Sequence, residues 1–191
     1  MLMPRAVTLI RSATLSSVAE YAYAATAPAG ARLIFLAGAC PLNEDGSTAA
    51  VSDYAGQAAQ AFANMKTALA DAGASVEDVI STRVLVASTR REDLGTAWRV
   101  IRDAFGAHDV PSTLLGVTVL GYRDQLVELE AVAAVLDLCR GGEIAGGGGL
   151  RATPGVCYSG MVSTGLITSP WWEASRASFT WSSGNFWMSR S

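Results

Sequence analysis

Apolar residues recur along this chain in two rhythms. From residue 52 to 73 the step is three or four, and Tyr54, Ala58, Ala61, Phe62, Met65, Leu69 and Ala72 fall on one stripe. That spacing predicts an amphipathic helix, with Ser52 as its N-cap and Gly73 as its stop. A second stripe, Leu94, Ala97, Trp98, Ile101 and Phe105, predicts another helix ending near Gly106. Thr89 and Glu92 stand before it in the S/T-x-x-E relation of a capping box. The other rhythm has a step of two, or is a short β-branched run, and predicts strands. These are residues 6–10 (AVTLI), 32–41 (RLIFLAGACP, ending at Gly38 and Pro41), 79–87 (VISTRVLVA), 113–119 and 126–135. The last two are joined by a polar turn with Gly121 and Asp124. The order β, β, α, β, α, β, β predicts an α+β layer: a mixed sheet with two helices on one face.

Beyond residue 139 the rhythm is lost. Residues 140–155 (RGGEIAGGGGLRATPG) read as a Gly-rich linker, and the tail carries four of the five tryptophans, Trp171, Trp172, Trp181 and Trp187, with neither period. Two domains of unequal character follow: residues 1–139 and the extension 140–191. The tail reads as a poorly ordered extension, with an aromatic docking or lipid-surface segment as the functional alternative. The glycine run lacks the Lys-Ser/Thr ending of a phosphate loop.

Charge and cysteine usage narrow the function classes. Residues 1–139 hold fifteen acids against ten bases, and residues 140–191 four Arg against two Glu. Neither part has the basic stripe of a nucleic-acid binder. Three distant cysteines, Cys40, Cys139 and Cys157, suggest no disulfide framework or metal site and fit a reducing, cytoplasmic setting. The acid-free N-terminus with Arg5 and Arg11 has the composition of a transit peptide, but AVTLI reads better as a strand. No apolar run reaches the roughly 20 residues that cross a bilayer.

The chemistry concentrates in the last strand. Residues two apart on a strand share a face, so Glu128 and Glu130 point the same way amid aliphatics. An unpaired carboxylate in a sealed core costs several kcal/mol, so this face is expected to line a cleft or to meet another chain. The plain alternative is that one or both acids receive an arginine such as Arg83 and only lock an interface. His108, the single histidine, follows the second helix, where the negative end of the dipole favours an imidazolium. With one histidine no Ser-His-Asp triad can be built. Cys40 reads either as an exposed thiol or as a small buried hydrophobe.

Three stretches, YAYAATAPAGARLIFLAGACPLNEDG, AFANMKTALADAGASVEDVISTRVLVAS and FGAHDVPSTLLGVTVLGYRDQLVELEAVA, together resemble the RidA/YjgF family of imine and enamine deaminases over roughly residues 5–137. The resemblance implies a chorismate-mutase-like α+β fold and a homotrimer with small-molecule clefts at its three subunit boundaries. It implies no metal or other cofactor. It assigns Glu128 to the glutamate that holds the attacking water, Tyr21 (with Tyr23 as the competing alignment) to the tyrosine of the cleft, and Gly38 to the glycine whose backbone approaches the ligand.

The departures from that pattern all make the cleft more apolar. Thr113 stands where the family's arginine grips a substrate carboxylate, Ala37 where a serine is expected, Trp98 where an asparagine is, and Leu115 where a small thiol or polar group is. Losing a charge-assisted bidentate contact would cost on the order of 2–5 kcal/mol in recognising an α-imino acid. The expectation is thus an imine or enamine hydrolase with an altered substrate. The alternative is a trimer that binds a small molecule or partner protein without chemistry.

Overall fold

The computed structural model describes residues 5–16, 18 and 20–137. The tail, Cys139, Cys157 and the expected boundary at residue 139 lie outside the described residues. Six strands and two α-helices follow in order: β1 (Thr8–Ile10), β2 (Ala24–Thr26), β3 (Arg32–Phe35), α1 (Tyr54–Asp71), β4 (Val79–Ala87), α2 (Arg91–Phe105), β5 (Ser112–Val117) and β6 (Val127–Val135). The main sheet has the order β3-β6-β4-β5. β6 runs antiparallel to both β3 and β4, whereas β5 is parallel to β4, with α2 as the connection between them. This is the expected α+β fold with both helices on one face of a mixed sheet.

Burial alternates along β6. Val127, Leu129, Ala131 and Ala133 are buried with Val84 and Val86 of β4 against Ala58, Phe62 and Met65 of α1 and Ala97, Ile101 and Phe105 of α2. The two helices meet through an edge-to-face pair, Phe62 and Phe105, with centroids 5.1 Å apart. Among the described residues no helix covers the other face of the sheet, and there Phe35 is 74% exposed, Leu33 51% and Leu115 43%.

Several local expectations are corrected. α1 is capped by Asp53, whose carboxylate accepts the Ala55 N–H at 3.0 Å. Ser52 has φ 65°, a left-handed turn conformation in which it cannot serve as cap. The Thr89–Glu92 capping box does not form: Ser88 Oγ accepts the Arg90 N–H (3.0 Å) and donates to Asp93 (2.7 Å), starting α2 one residue later. A capping box does form at Ser75 and Asp78, before a short 3-10 turn. The first strand is trimmed to Thr8–Ile10 and pairs with β2, a three-residue strand too short to show a period. The expected strand 32–41 is regular only to Phe35. Phe35 pairs with Val132 and Ala39 with Leu129, so four steps on one side oppose three on the other. One extra residue at Ala37–Gly38 is a β-bulge.

Two polar side chains of α1 fasten the loops around this bulge. Asn64 donates to the carbonyls of Cys40 (2.8 Å) and Leu42 (3.0 Å). Gln57, fully buried, accepts the Leu126 N–H at 2.7 Å and donates to the Asp124 carbonyl at 2.8 Å. Gln57→Leu leaves both backbone groups without partners and should lower stability by about 1–3 kcal/mol, read by urea denaturation. A loss under about 0.5 kcal/mol would show that this tether is dispensable.

Candidate active site

The alternation that buries Leu129 turns Glu128 and Glu130 to the open face. Their environments differ. Glu130 lies opposite Arg83 and forms an ion pair with it at 3.3 Å, exposed on both sides, so the arginine partner named in the plain alternative is found for this acid. Glu128 lies opposite Leu85 and, among the described residues, has no ion-pair partner. Its Oε2 accepts from the Gln125 side-chain amide at 3.1 Å and from the Cys40 thiol at 3.7 Å. Among the described residues no hydrogen bond reaches its Oε1.

Gly38 makes this position possible. A Cβ built on it would lie 1.9 Å from Glu128 Oε1, far inside contact distance. The bulge therefore brings a residue without a side chain against the carboxylate. Cys40, two residues on, is half-buried. Burial pushes its thiol up from the usual range, and the neighbouring negative charge of Glu128 pushes it further. The thiol is thus a hydrogen-bond donor beside the carboxylate and a poor thiolate at neutral pH.

The remaining expected site residues gather toward the β5 edge of the sheet. Tyr21, Trp98 and Thr113 line one hollow together with Ser112 and Leu114. The Tyr21 and Trp98 rings meet edge to face at 5.9 Å, while Tyr23 stacks obliquely on Tyr21 and donates its hydroxyl to the Ser16 carbonyl. Tyr21 is thus the tyrosine at this hollow. Leu115 stands on the open face of β5, opposite Leu85. Within one chain Glu128 and Leu115 are separated by the whole of β4, about 10 Å at two strand spacings. The chain therefore carries two separate groups of expected site residues, an acidic one at Gly38–Glu128 and an aromatic one at Tyr21–Trp98–Thr113. Arg83, cross-strand neighbour of Thr113, is already engaged by Glu130.

His108 is buried and its Nε2 lies 2.7 Å from the Val79 carbonyl, so it donates a hydrogen bond that ties the segment after α2 to β4. Gln125 and Cys40 were the partners of Glu128 that the sequence did not single out. The spacing of Gln125 three residues before Glu128 carried no recognisable signal, since side-chain amides are ordinary in turns. Among the described residues no cluster of three or more His, Cys, Asp or Glu could hold a metal, and no helix is long and apolar enough to cross a membrane.

Comparison with known proteins bears on this arrangement. The endoribonuclease L-PSP family model matches residues 12–135. No curated protein matches the chain. Among solved structures, a Yersinia pestis protein of unknown function from the conserved Rid family is 24% identical with a TM-score of 0.61, covering 68% of this chain and 99% of that one. A candidate endoribonuclease L-PSP from Entamoeba histolytica is 24% identical with a TM-score of 0.50, covering 68% and 99%. A Mycobacterium tuberculosis member of the YjgF/YER057c/UK114 family is 29% identical with a TM-score of 0.46, again covering 68% and 99%.

Two outcomes check the acidic group. Because the charge of Glu128 helps to hold Cys40 protonated, Glu128→Gln should speed alkylation of Cys40 by iodoacetamide at fixed pH, followed by peptide mass mapping; an unchanged or slower rate would separate the two groups. Gly38→Ala should expel Glu128 from its present rotamer, visible in a crystal structure of the variant, and a carboxylate left in place would contradict the steric account.

Proposed function

Because the chain belongs to the RidA/YjgF family, to which the endoribonuclease L-PSP model corresponds, we propose that it hydrolyses a reactive imine or enamine to a carbonyl compound and ammonia. The observation that carries this reading is Glu128: a half-buried carboxylate on the open face, held through Oε2 and free of hydrogen bonds at Oε1 among the described residues. In the proposed reaction a water bound at Oε1 attacks the imine carbon while Glu128 accepts its proton. The C=N electron pair moves to nitrogen, and Glu128 hands that proton to it, giving the carbinolamine. In the collapse Glu128 takes the hydroxyl proton as the C=O bond forms and delivers it to the amine nitrogen, which leaves as ammonia, so the carboxylate is regenerated.

The substrate is proposed to lack a carboxylate. Thr113 offers no charge, and its cross-strand neighbour Arg83 is committed to Glu130. Tyr21 and Trp98 offer aromatic surface instead, which suits a neutral or cationic group. The reaction site is proposed to form where the acidic half-site of one protomer faces the aromatic half-site of the next in a homotrimer in a reducing, cytoplasmic compartment. The exposed Leu33, Phe35 and Leu115 on the helix-free face support burial against another subunit. Residues 140–191 are proposed to be an extension outside this unit. The ribonuclease activity suggested by the names of some neighbours has less support, because the fifteen acids and ten bases of residues 1–139 are a poor match for a polyanion.

A second reading has one observation in its favour. Thr113, Trp98 and Leu115 together remove polar groups that the family resemblance places in the cleft, which fits a trimer that binds a small molecule without turning it over. Imines generated in place from a panel of amines and amino acids by an oxidase would decide between the two, with ammonia release as the readout. Hydrolysis predicts that release from amine-derived imines is accelerated and that Glu128→Ala abolishes the acceleration while the oligomer survives. Tight calorimetric binding without release would favour the second reading. Thr113→Arg should raise turnover of α-imino acids by about tenfold or more; no gain would show that the arginine position has been misassigned.

A further inference from the structure

Gln125 is almost sealed, with 4% of its surface exposed, yet it lies in the turn before β6, where an amide is usually solvated. A buried primary amide has one acceptor and two donor hydrogens to satisfy. Here Oε1 accepts the Tyr122 N–H at 3.0 Å, and Nε2 donates to the Val127 carbonyl at 3.2 Å and to Glu128 Oε2 at 3.1 Å. The backbone settles which end is which. A flipped amide would set its oxygen against the Val127 carbonyl and the carboxylate, and its NH2 against the Tyr122 N–H, replacing three attractions by three repulsions.

We propose that Gln125 is a positioning residue for Glu128: locked between two backbone groups, its amide grips Oε2 and so leaves Oε1 beside Gly38 as the free proton acceptor. The contact is charge-assisted, the stronger kind of hydrogen bond. It is also reinforced from the opposite side, because Gln57 fixes the backbone at Asp124 and Leu126 on either side of Gln125. The catalytic consequence rests on the hydrolysis proposed above; the contact itself is observable without any substrate.

Two measurements test it. In the full-length protein, the side-chain amide signal of Gln125 is followed by 1H–15N NMR as pH is lowered through the carboxylate range, in the native chain and in Glu128→Gln. The expected result is a signal that moves in the native chain and stays fixed in the variant. A signal that is insensitive to pH, or that moves equally in both proteins, overturns the proposal. In the ammonia-release assay, Gln125→Met keeps the length of the side chain and removes both donors. It should lower kcat roughly tenfold to a hundredfold, as a carboxylate misplaced by about 1 Å would, with KM within about twofold and with the native circular dichroism retained. An undiminished kcat in that folded variant overturns the proposal. If the native protein releases no ammonia from any imine, the hydrolysis fails and the NMR titration alone decides the role of Gln125.

Discussion

A carboxylate can stand on a sheet face made largely of aliphatics only where it has both hydrogen-bond donors and room, and at Glu128 one backbone irregularity supplies the room. The extra residue at Ala37–Gly38 breaks the pairing of β3 with β6 and brings a glycine to the spot that any side chain would fill. The donors arrive from the two loops that α1 fastens, Cys40 from the loop held by Asn64 and Gln125 from the turn held by Gln57. The helix therefore acts on the site through its polar residues while its apolar stripe builds the core.

The two neighbouring glutamates show how similar residues on one strand come to differ. Glu130 meets Arg83 in the open, where such an ion pair contributes about 0–1 kcal/mol. Glu128 meets Leu85 and neutral donors instead. A base needs an oxygen without a cation upon it, and the register of β4 against β6 gives the arginine to the second of the two acids and none, among the described residues, to the first.

Much of this was legible before any coordinates. The stripe from Tyr54 to Leu69 and the alternation of residues 126–135 carry periods long enough to fix both element and buried face, and the shared direction of Glu128 and Glu130 follows from the same alternation. Short features were not legible. β2 spans three residues, less than two periods of a strand, and the bulge is a single inserted residue within an unbroken apolar run. The caps were misplaced because Ser52 and Asp53 are adjacent acceptors and only backbone conformation decides between them. Gln125 escaped notice because its importance lies in three partners that come together only once the turn has closed. Tyr21, Trp98 and Thr113 could be named from the family resemblance, but their distance from Glu128 within one chain depends on sheet order, which periodicity does not encode.

The central claim is that a free oxygen of Glu128 holds the water that attacks the carbon of a bound imine. A crystal structure grown with a neutral ketone, the carbonyl product of such an imine, tests this directly. The account predicts the carbonyl carbon about 3–3.5 Å from a water that Glu128 Oε1 holds, with the organic group against Tyr21 and Trp98 of an adjoining protomer. A ketone bound elsewhere, or a Glu128 closed off from every ligand in the assembled protein, would contradict it.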